Sequence, residues 1–213
     1  RNLVKTGLIL LFLVTGMGLL FSGAPTALKC ENLANPLGID NATPRFSWIV
    51  NETERGESQS AYQILVASSL SNINSNIGDV WNSGQVTGSA QHAVKYAGSP
   101  LSAKTEYWWK VRTWDKDSNA SAYSAGATFE TGMLSQSDWS AQWIGGNYKL
   151  LRDDLLLNPA KTIAKARLYV TSLGYNEVYI NGQKVGDDVC NPGFTRYEKR
   201  ALYSTYDVTS LMN

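Results

Sequence analysis

Short apolar or alternating runs, separated by Gly, Asn, Asp and Ser, make up most of the chain after residue 27. Runs of this kind predict antiparallel β-strands, and almost no stretch of this region has helical periodicity. The predicted strands of the first region are residues 28–33, 45–50, 61–68, 79–86, 92–96, 106–114 and 127–131. Seven short strands in about 100 residues are typical of an immunoglobulin-like or fibronectin type III sandwich. We therefore predict an all-β fold that begins with such a domain over residues 28–132.

One motif within this region favours the fibronectin type III sandwich. Leu101, Thr105 and Tyr107 occur in the order L-x-x-x-T-x-Y before Trp109, and this order resembles the leucine and tyrosine corner of such domains. We expect the Tyr107 hydroxyl to hydrogen-bond backward to the main chain and Leu101 and Trp109 to be structural residues. Trp108 lies on the opposite face of the strand, so we expect it to pack at a domain interface.

A second β region follows residues 133–138, which are short and polar and predict a linker. Residues 165–170 alternate strictly between two faces, and Asn181-Gly182 between two apolar runs predicts a hairpin with a type I′ turn. We predict a second β-sandwich over residues 139–213. Its last apolar run reaches Asn213 with no further strand to cover it. We therefore expect this sandwich to be incomplete and the chain to be the front part of a longer protein.

The first residues have the pattern of a secretory signal. Arg1 and Lys5 precede an apolar run over residues 8–21, which is shorter than the roughly 20 residues of a transmembrane helix, and small residues follow it. We predict a signal peptide over residues 1–27, a secreted or periplasmic protein, and no membrane association after cleavage. The alternative is a buried core helix.

Charge and composition exclude several functions. The chain has 19 Lys and Arg against 18 Asp and Glu, so it lacks the basic surface that nucleic-acid binding requires. A single histidine, His92, excludes a multi-histidine zinc site, and we expect neither a metal nor a cofactor. Seven Trp and 11% aromatic residues suit a secreted β protein or a sugar-handling one. Cys30 and Cys190 are predicted to be independent buried thiols rather than a disulfide.

Two sets of short segments are more specific than composition. In the first region they are LKCENL (28–33), PRFSW (44–48), SAYQILVA (60–67), YWWKVRTWD (107–115) and FETG (129–132). In the second region they are ARLYVT (166–171), YING (179–182), VGD (185–187), PGFT (192–195) and YDVT (206–209). The first set resembles the amino-terminal fibronectin-like domain of bacterial α-L-rhamnosidases, glycoside hydrolase family 78. The second set is similar to the next domain of that family, a jelly-roll-like β-sandwich.

The resemblance implies an exo-acting enzyme that removes terminal α-linked L-rhamnose with inversion. In this family the paired carboxylates lie in a downstream (α/α)6 barrel, and none of the catalytic motifs occurs in this sequence. We therefore expect no catalytic residue here. The implied partners are the downstream catalytic domain of the same chain and rhamnose-containing glycans or glycosides.

The acidic pairs do not indicate a catalytic or calcium-binding site. Asp153-Asp154 and Asp187-Asp188 are adjacent residues, and adjacent side chains of a strand point to opposite faces, so we interpret both pairs as solvated turns. The segment after Asp115 lacks the glycine and the closing glutamate of a calcium loop and predicts a hairpin turn.

Aromatic and planar polar side chains of the second region are weak candidates for sugar binding. These residues are Tyr175, Asn176, Tyr179, Arg196 and Tyr197. Contacts with other domains are the favoured alternative for the same residues. Asn181 and Gly182 are expected to be structural.

Two functions remain open. The first is a non-catalytic amino-terminal region of a rhamnosidase that supports the barrel and aids substrate recognition. The second is a free-standing carbohydrate-binding or adhesion module, because β-sandwiches serve both purposes. The reading frame beyond Asn213 would distinguish the two.

Overall fold

A computed structural model describes residues 23–51, 56–146, 150–158 and 160–212. Its strands in chain order are β1 Gly23–Cys30, β2 Arg45–Asn51, β3 Ala61–Ala67, β4 Trp81–Asn82, β5 Val86–Thr87, β6 Val94–Lys95, β7 Glu106–Trp114, β8 Ala127–Glu130, β9 Arg167–Thr171, β10 Tyr179–Ile180, β11 Gln183–Lys184 and β12 Tyr203–Asp207. The helical elements are α1 Leu70–Asn74 and two 3-10 turns, Gln136–Asp138 and Thr209–Leu211. The prediction of an all-β fold is confirmed.

The first unit, residues 23–138, consists of two antiparallel sheets. One sheet has the order β1-β2-β6, and in the other β3 pairs with β4, β5 and β7, with β8 beside β7. The longest pairing joins β3 to β7, from Ala61 opposite Trp114 to Ala67 opposite Trp108. This arrangement has the two layers of an immunoglobulin-like sandwich.

Aromatic residues from both sheets form the core of the first unit. Phe46 of β2 is fully buried, and its ring lies 4.5 Å from that of Trp109 and 5.7 Å from that of Phe129. Ile64 and Val111 complete the same cluster from β3 and β7. Every second side chain of a strand faces the same side of its sheet. The alternation of buried and more exposed residues at the start of β2 therefore places Phe46 on the side that faces the core.

The corner motif makes the contact that its sequence predicts. The Tyr107 hydroxyl accepts a hydrogen bond from the backbone N–H of Ser102 at 2.9 Å, and both Tyr107 and Leu101 are buried. The expectation for Trp108 is wrong, because this side chain packs within the first unit. It covers a small separate cluster that contains Leu65 of β3 and Ile73 of α1.

Several boundaries differ from the predictions. β1 begins at Gly23, so it includes residues 23–27 of the predicted signal peptide. Residues 1–22 of that prediction lie outside the described residues. The expected strand over 79–86 is divided into β4 and β5, which residues 83–85 separate, and five-residue α1 has no helical signal in the sequence. Cys30 is a buried free thiol as expected, but Cys190 is exposed.

The second unit, residues 139–212, is built on an antiparallel pair of strands that we call the β9–β12 ribbon. Arg167 pairs with Asp207 and Thr171 with Tyr203. A hairpin joins β10 to β11 through Asn181 and Gly182, whose φ values of 50° and 78° are those of the predicted type I′ turn. Both hydrophobic clusters found in the described residues lie in the first unit.

Candidate functional site

The two units meet at a buried carboxylate. Glu130 ends β8, and only 2% of its side chain is exposed. Arg167 Nε lies 3.0 and 3.1 Å from the two oxygens of this carboxylate, and Lys165 forms a second ion pair with it. The Tyr169 hydroxyl approaches the carboxylate at 3.4 Å. Because Arg167 and Tyr169 occupy alternate positions of β9, one face of the ribbon packs on the first unit.

Two glycines allow this close approach. A side-chain carbon on Gly132 would collide with the Tyr203 hydroxyl, and one on Gly38 would collide with Thr205. The Tyr203 hydroxyl accepts a hydrogen bond from the backbone N–H of Met133 at 3.0 Å, and the Tyr203 ring meets Trp139 at 5.3 Å. Glycine is therefore required at both positions for contact with β12.

Burial raises the pKa of two tyrosines at the contact between the units. Desolvation, together with the nearby Glu130 carboxylate, raises the pKa of Tyr169 to about 12. Burial also raises the pKa of Tyr203 above its ordinary value. A tyrosine hydroxyl is neutral near pH 7 even at its ordinary pKa of about 10, so Tyr169 can donate its proton in the hydrogen bond to Glu130.

The predicted sugar-binding residues are spread over the outer part of the second unit. Tyr175 is 65% exposed and Tyr179 is 57% exposed, and the Tyr179 hydroxyl donates to Glu177 at 3.0 Å. The backbone N–H of Asn176 donates to the Asn191 carbonyl at 3.0 Å, and its side-chain amide donates to Ser172.

Arg196 and Tyr197, the other two candidates, lie in the loop over residues 191–202. Arg196 is ion-paired with Glu198, and the Tyr197 ring contacts that of Phe194 at 5.2 Å. The amide of Asn176 and the guanidinium of Arg196 are therefore already engaged with protein groups. Sugar binding by the five candidates remains a prediction.

The 191–202 loop has a defined base and an exposed tip. The side-chain amide of Asn191 donates to Tyr206 at 2.7 Å and to Ser204 at 2.6 Å, which fixes the loop to β12. Thr195 donates to the Arg200 carbonyl at 2.6 Å and closes the tip. Phe194 is 78% exposed and lines a shallow cleft of about 360 Å³ with Arg196, Lys199 and Arg200.

The acidic pairs have structural partners. Asp154 pairs with the neighbouring Arg152, and Asp188 accepts a hydrogen bond from Tyr206 at 2.8 Å. Asp115 accepts hydrogen bonds from the backbone N–H groups of Asp117 and Asn119, as expected for the predicted hairpin turn. Among the described residues, no group of three or more His, Cys, Asp or Glu side chains is placed to hold a metal ion. The part of the chain that the structure describes contains no helix long and apolar enough to cross a membrane.

Comparison with known proteins gives a consistent pattern. Residues 25–135 match the family described as Rha78A-like, N-terminal immunoglobulin domain, and residues 161–213 match the α-L-rhamnosidase N-terminal domain. An α-L-rhamnosidase of Formosa agariphila is 38% identical over 209 residues, which cover 84% of this chain and 22% of the relative.

Solved structures agree. The α-L-rhamnosidase of Dictyoglumus thermophilum superposes with a TM-score of 0.82 at 41% identity, over 89% of this chain and 24% of that one. A Streptomyces avermitilis α-L-rhamnosidase complexed with L-rhamnose superposes with a TM-score of 0.56 at 31% identity, over 89% of this chain and 21% of that one.

The fold and these matches define the class: an immunoglobulin-like domain followed by a second β domain of the kind found at the amino terminus of glycoside hydrolases. The chain belongs to the Rha78A-like family and corresponds to the N-terminal region of α-L-rhamnosidases. It spans about a fifth of the length of the curated relatives that it matches.

Proposed function

We propose that the chain is the non-catalytic accessory region of an α-L-rhamnosidase that hydrolyses terminal α-L-rhamnosides. The observation that carries this proposal is the order of the two family matches, residues 25–135 and then 161–213, on a fold that superposes on 24% of a solved rhamnosidase. In this proposal the catalytic acid and base belong to other parts of the enzyme. The substrate class follows from the relatives, one of which is complexed with L-rhamnose. Secretion remains part of the proposal.

The buried contacts between the two units support a mechanical role for the region. Glu130, Arg167 and Tyr203 fix the β9–β12 ribbon against the first unit through buried polar contacts. Hydrogen-bonded buried charges have a narrow range of favourable geometries. The two units therefore present a fixed surface to the rest of the enzyme, which favours support of a neighbouring domain over an independent binding activity.

A hybrid enzyme tests the proposal. In the Dictyoglumus thermophilum rhamnosidase, the segment that superposes on this chain is replaced by this chain, which is 41% identical to it. We expect the hybrid to hydrolyse nitrophenyl α-L-rhamnoside with a kcat/KM within about tenfold of the parent enzyme, a loss of no more than about 1.4 kcal/mol. The isolated chain is expected to release no nitrophenol.

The controls are the parent enzyme and the same enzyme with the segment deleted. A soluble hybrid that is no more active than the deletion variant would contradict the accessory role. If the isolated chain then bound rhamnosylated glycans, the free-standing carbohydrate-binding module would be the better description. Hydrolysis by the pure isolated chain would contradict both.

A further inference from the structure

The sheet that contains β3 and β7 carries a row of charged and aromatic side chains on the face that points away from the aromatic core. Val111 of β7 belongs to that core, so its neighbours Lys110 and Arg112 lie on the opposite face of the strand. The guanidinium carbon of Arg112 lies 4.7 Å from the centre of the Trp114 ring and 4.9 Å from that of the Tyr123 ring. The ammonium nitrogen of Lys110 lies 5.0 Å from the centre of the same Tyr123 ring. We call Lys110, Arg112, Trp114 and Tyr123 the cation ladder.

Neither cation of the ladder has a carboxylate partner. Among the described residues Lys110 and Arg112 form no ion pair, in contrast to Arg45 and Arg167. Lys110 is only 7% exposed, and burial lowers the pKa of its ammonium group from the ordinary value of 10.5. The two cations are two residues apart on one face of β7, so they repel each other. An anion bound beside them would offset a positive charge that the described residues leave unbalanced.

Hydrogen bonds hold the ladder in a fixed arrangement. Arg112 Nε donates to the side-chain carbonyl of Gln63 at 2.8 Å, and the Tyr123 hydroxyl donates to the same oxygen at 3.0 Å. The amide nitrogen of Gln63 donates in turn to Asn82 Oδ1 at 2.7 Å. The orientation of the guanidinium is therefore set before any ligand binds, which reduces the entropic cost of binding.

The remaining donors of the two cations are accessible to solvent. Within the described residues, the terminal N–H groups of Arg112 and the ammonium group of Lys110 make no hydrogen bond. The buried side-chain polar atoms without a partner in that part of the chain are one oxygen of Glu57 and the indole nitrogen of Trp109, so the unpaired nitrogens of Lys110 and Arg112 reach the surface. A guanidinium with free N–H groups binds a carboxylate through two parallel hydrogen bonds, and an adjacent ammonium group strengthens the attraction.

The surroundings of the ladder favour a saccharide over a protein partner. Backbone N–H groups of Ser121 and Ser124 donate to carbonyls of β7, and β3 lies between β7 and the strands β4 and β5. Neither strand therefore offers an open edge here to a peptide strand. None of the ladder residues is among the exposed large hydrophobic residues, which the centre of a protein interface requires. The exposed Asn82 has an amide nitrogen that makes no hydrogen bond among the described residues, and such a planar donor suits sugar hydroxyls.

We propose that Lys110 and Arg112 form a binding site for the acidic group of a sugar, a carboxylate or a sulfate ester, in the rhamnose-containing glycan on which the enzyme acts. This inference rests on the proposed function, and it narrows the substrate class to glycans that carry acidic units. The site lies in the first unit, apart from the five candidates for sugar binding in the second unit.

NMR titration of the isotope-labelled chain tests the site. Sodium D-glucuronate and D-glucose 6-sulfate supply the two acidic groups, D-glucose is the neutral control, and sodium acetate is a carboxylate without a sugar. Ionic strength is kept constant, because salt screens charges. We expect at least one acidic sugar to shift the amide signals of residues 110–112 and 123, and the tighter of the two identifies the acidic group. D-glucose should cause no such shifts, and acetate should bind at least about tenfold more weakly than the tighter acidic sugar.

Three results of the titration would overturn the inference. They are the absence of these shifts with both acidic sugars, equal shifts with D-glucose, and equally tight binding of acetate. In the last two cases the site would recognise either a neutral sugar or any small anion.

Substitutions at the two cations make the test specific. Lys110→Met keeps a long stem on the sheet and removes the charge, whereas Arg112→Lys keeps the charge and removes the planar fork. Each is expected to weaken binding of the acidic sugar about tenfold. Lys95→Met, at an exposed lysine of β6 in the other sheet, is the control and should leave the affinity unchanged. Unchanged affinity in both ladder variants would overturn the inference, and the shifts of the unsubstituted chain test it independently of how the variants fold.

Binding by the chain and hydrolysis by the hybrid enzyme are separate measurements. A chain that binds an acidic sugar at the ladder but gives an inactive hybrid would support the site and contradict the accessory role. An active hybrid built from a chain that binds neither acidic sugar would support the accessory role and overturn the site.

Discussion

At the scale of single residues, Glu31 connects β1 to β2. Its carboxylate accepts hydrogen bonds from the backbone N–H of Arg45 at 2.7 Å and from the guanidinium of the same residue at 2.6 Å. The side-chain hydrogen bond from Arg45 is the main reason that the pKa of Glu31 lies below its ordinary value of 4.5. A lowered pKa in the folded state means that the charged form stabilises the fold.

We expect Glu31→Gln to weaken the acid dependence of stability. The contribution of Glu31 is fully present above about pH 4.5 and is lost as the pH falls through the lower, folded-state pKa. The difference in unfolding free energy between wild type and variant should therefore shrink as the pH is lowered from about 6 to about 3. Urea unfolding at several pH values measures it. Asp154→Asn, at an exposed carboxylate of the second unit, is the control, and a difference that does not vary with pH would contradict the assignment.

Tyr107→Phe tests the corner. The variant keeps the buried ring and its contact with Phe129 at 5.3 Å but leaves the backbone N–H of Ser102 without its acceptor. Loss of one buried hydrogen bond should cost about 1–3 kcal/mol of unfolding free energy in chemical denaturation. Tyr62→Phe removes a hydroxyl that makes no hydrogen bond among the described residues and should be close to neutral. Equal effects of the two substitutions would argue against the corner bond.

The structural role of Tyr107 could be predicted from the sequence and that of Glu130 could not, for one physical reason. The corner is local, since the hydroxyl and its donor are five residues apart. Glu130 and Arg167 are 37 residues apart and belong to different units. The FETG segment marked Glu130 as specific, but alternation on β9 shows only that Arg167 and Tyr169 share a face. It does not show what that face meets.

At the scale of elements, the ends of β3 and β7 were predictable from the sequence, whereas those of the two-residue strands β4, β5 and β6 were not. β3 and β7 have seven and nine residues, and their apolar runs were located within one residue of their true ends. β4, β5 and β6 have two residues each, because only brief stretches of the chain run alongside β2 and β3. Their length depends on these neighbours rather than on local periodicity. The Asn181-Gly182 hairpin was found because its turn needs positive φ at both positions.

Glu130→Gln is expected to loosen the β9–β12 ribbon. The substitution removes the buried counter-charge of Arg167, which keeps its ion pair with the more exposed Asp207. Loss of the charge-assisted hydrogen bonds is therefore expected to cost about 1–3 kcal/mol. Amides of β9 and β12 should exchange hydrogen faster, while those of β3 and β7 stay protected. Glu106→Gln removes the other carboxylate that contacts Lys165, but its side chain is 31% exposed, so the effect should stay below about 1 kcal/mol. Unchanged exchange in Glu130→Gln would show that other contacts hold the ribbon.

At the scale of the whole molecule, burial is divided unequally between the units. The first unit has a continuous aromatic core, whereas Val185 and Val208 are the large apolar residues buried in the described part of the second. The sequence predicts too few strands to complete the second sandwich, and we therefore expect its apolar faces to be incompletely covered. The ion pairs of Glu130 add a link between the units that the strand pattern did not predict.

Limited proteolysis should reveal this division. Residues 150–158 have no regular structure and contain five exposed leucines, so chymotrypsin is expected to cut there first and leave a resistant first unit. Mass spectrometry of the fragments identifies the sites. Trypsin, which can cut at Arg152, provides an independent control with different side-chain specificity. Initial cleavage within β3 or β7 would contradict the division into a resistant and a susceptible unit.

Gly38 and Gly132 bear on how the segment between the two units can vary in length. Their missing side chains let Tyr203 and Thr205 rest against the first unit, so contact surfaces rather than the irregular residues 150–158 set the orientation of the ribbon. Residues 150–158 have no regular structure, and an irregular segment can lengthen at little entropic cost, about 0.6 kcal/mol for each doubling. Extra modules can be accommodated within it without turning one unit relative to the other. A methyl group at either glycine, by contrast, would shift the alignment of everything that follows.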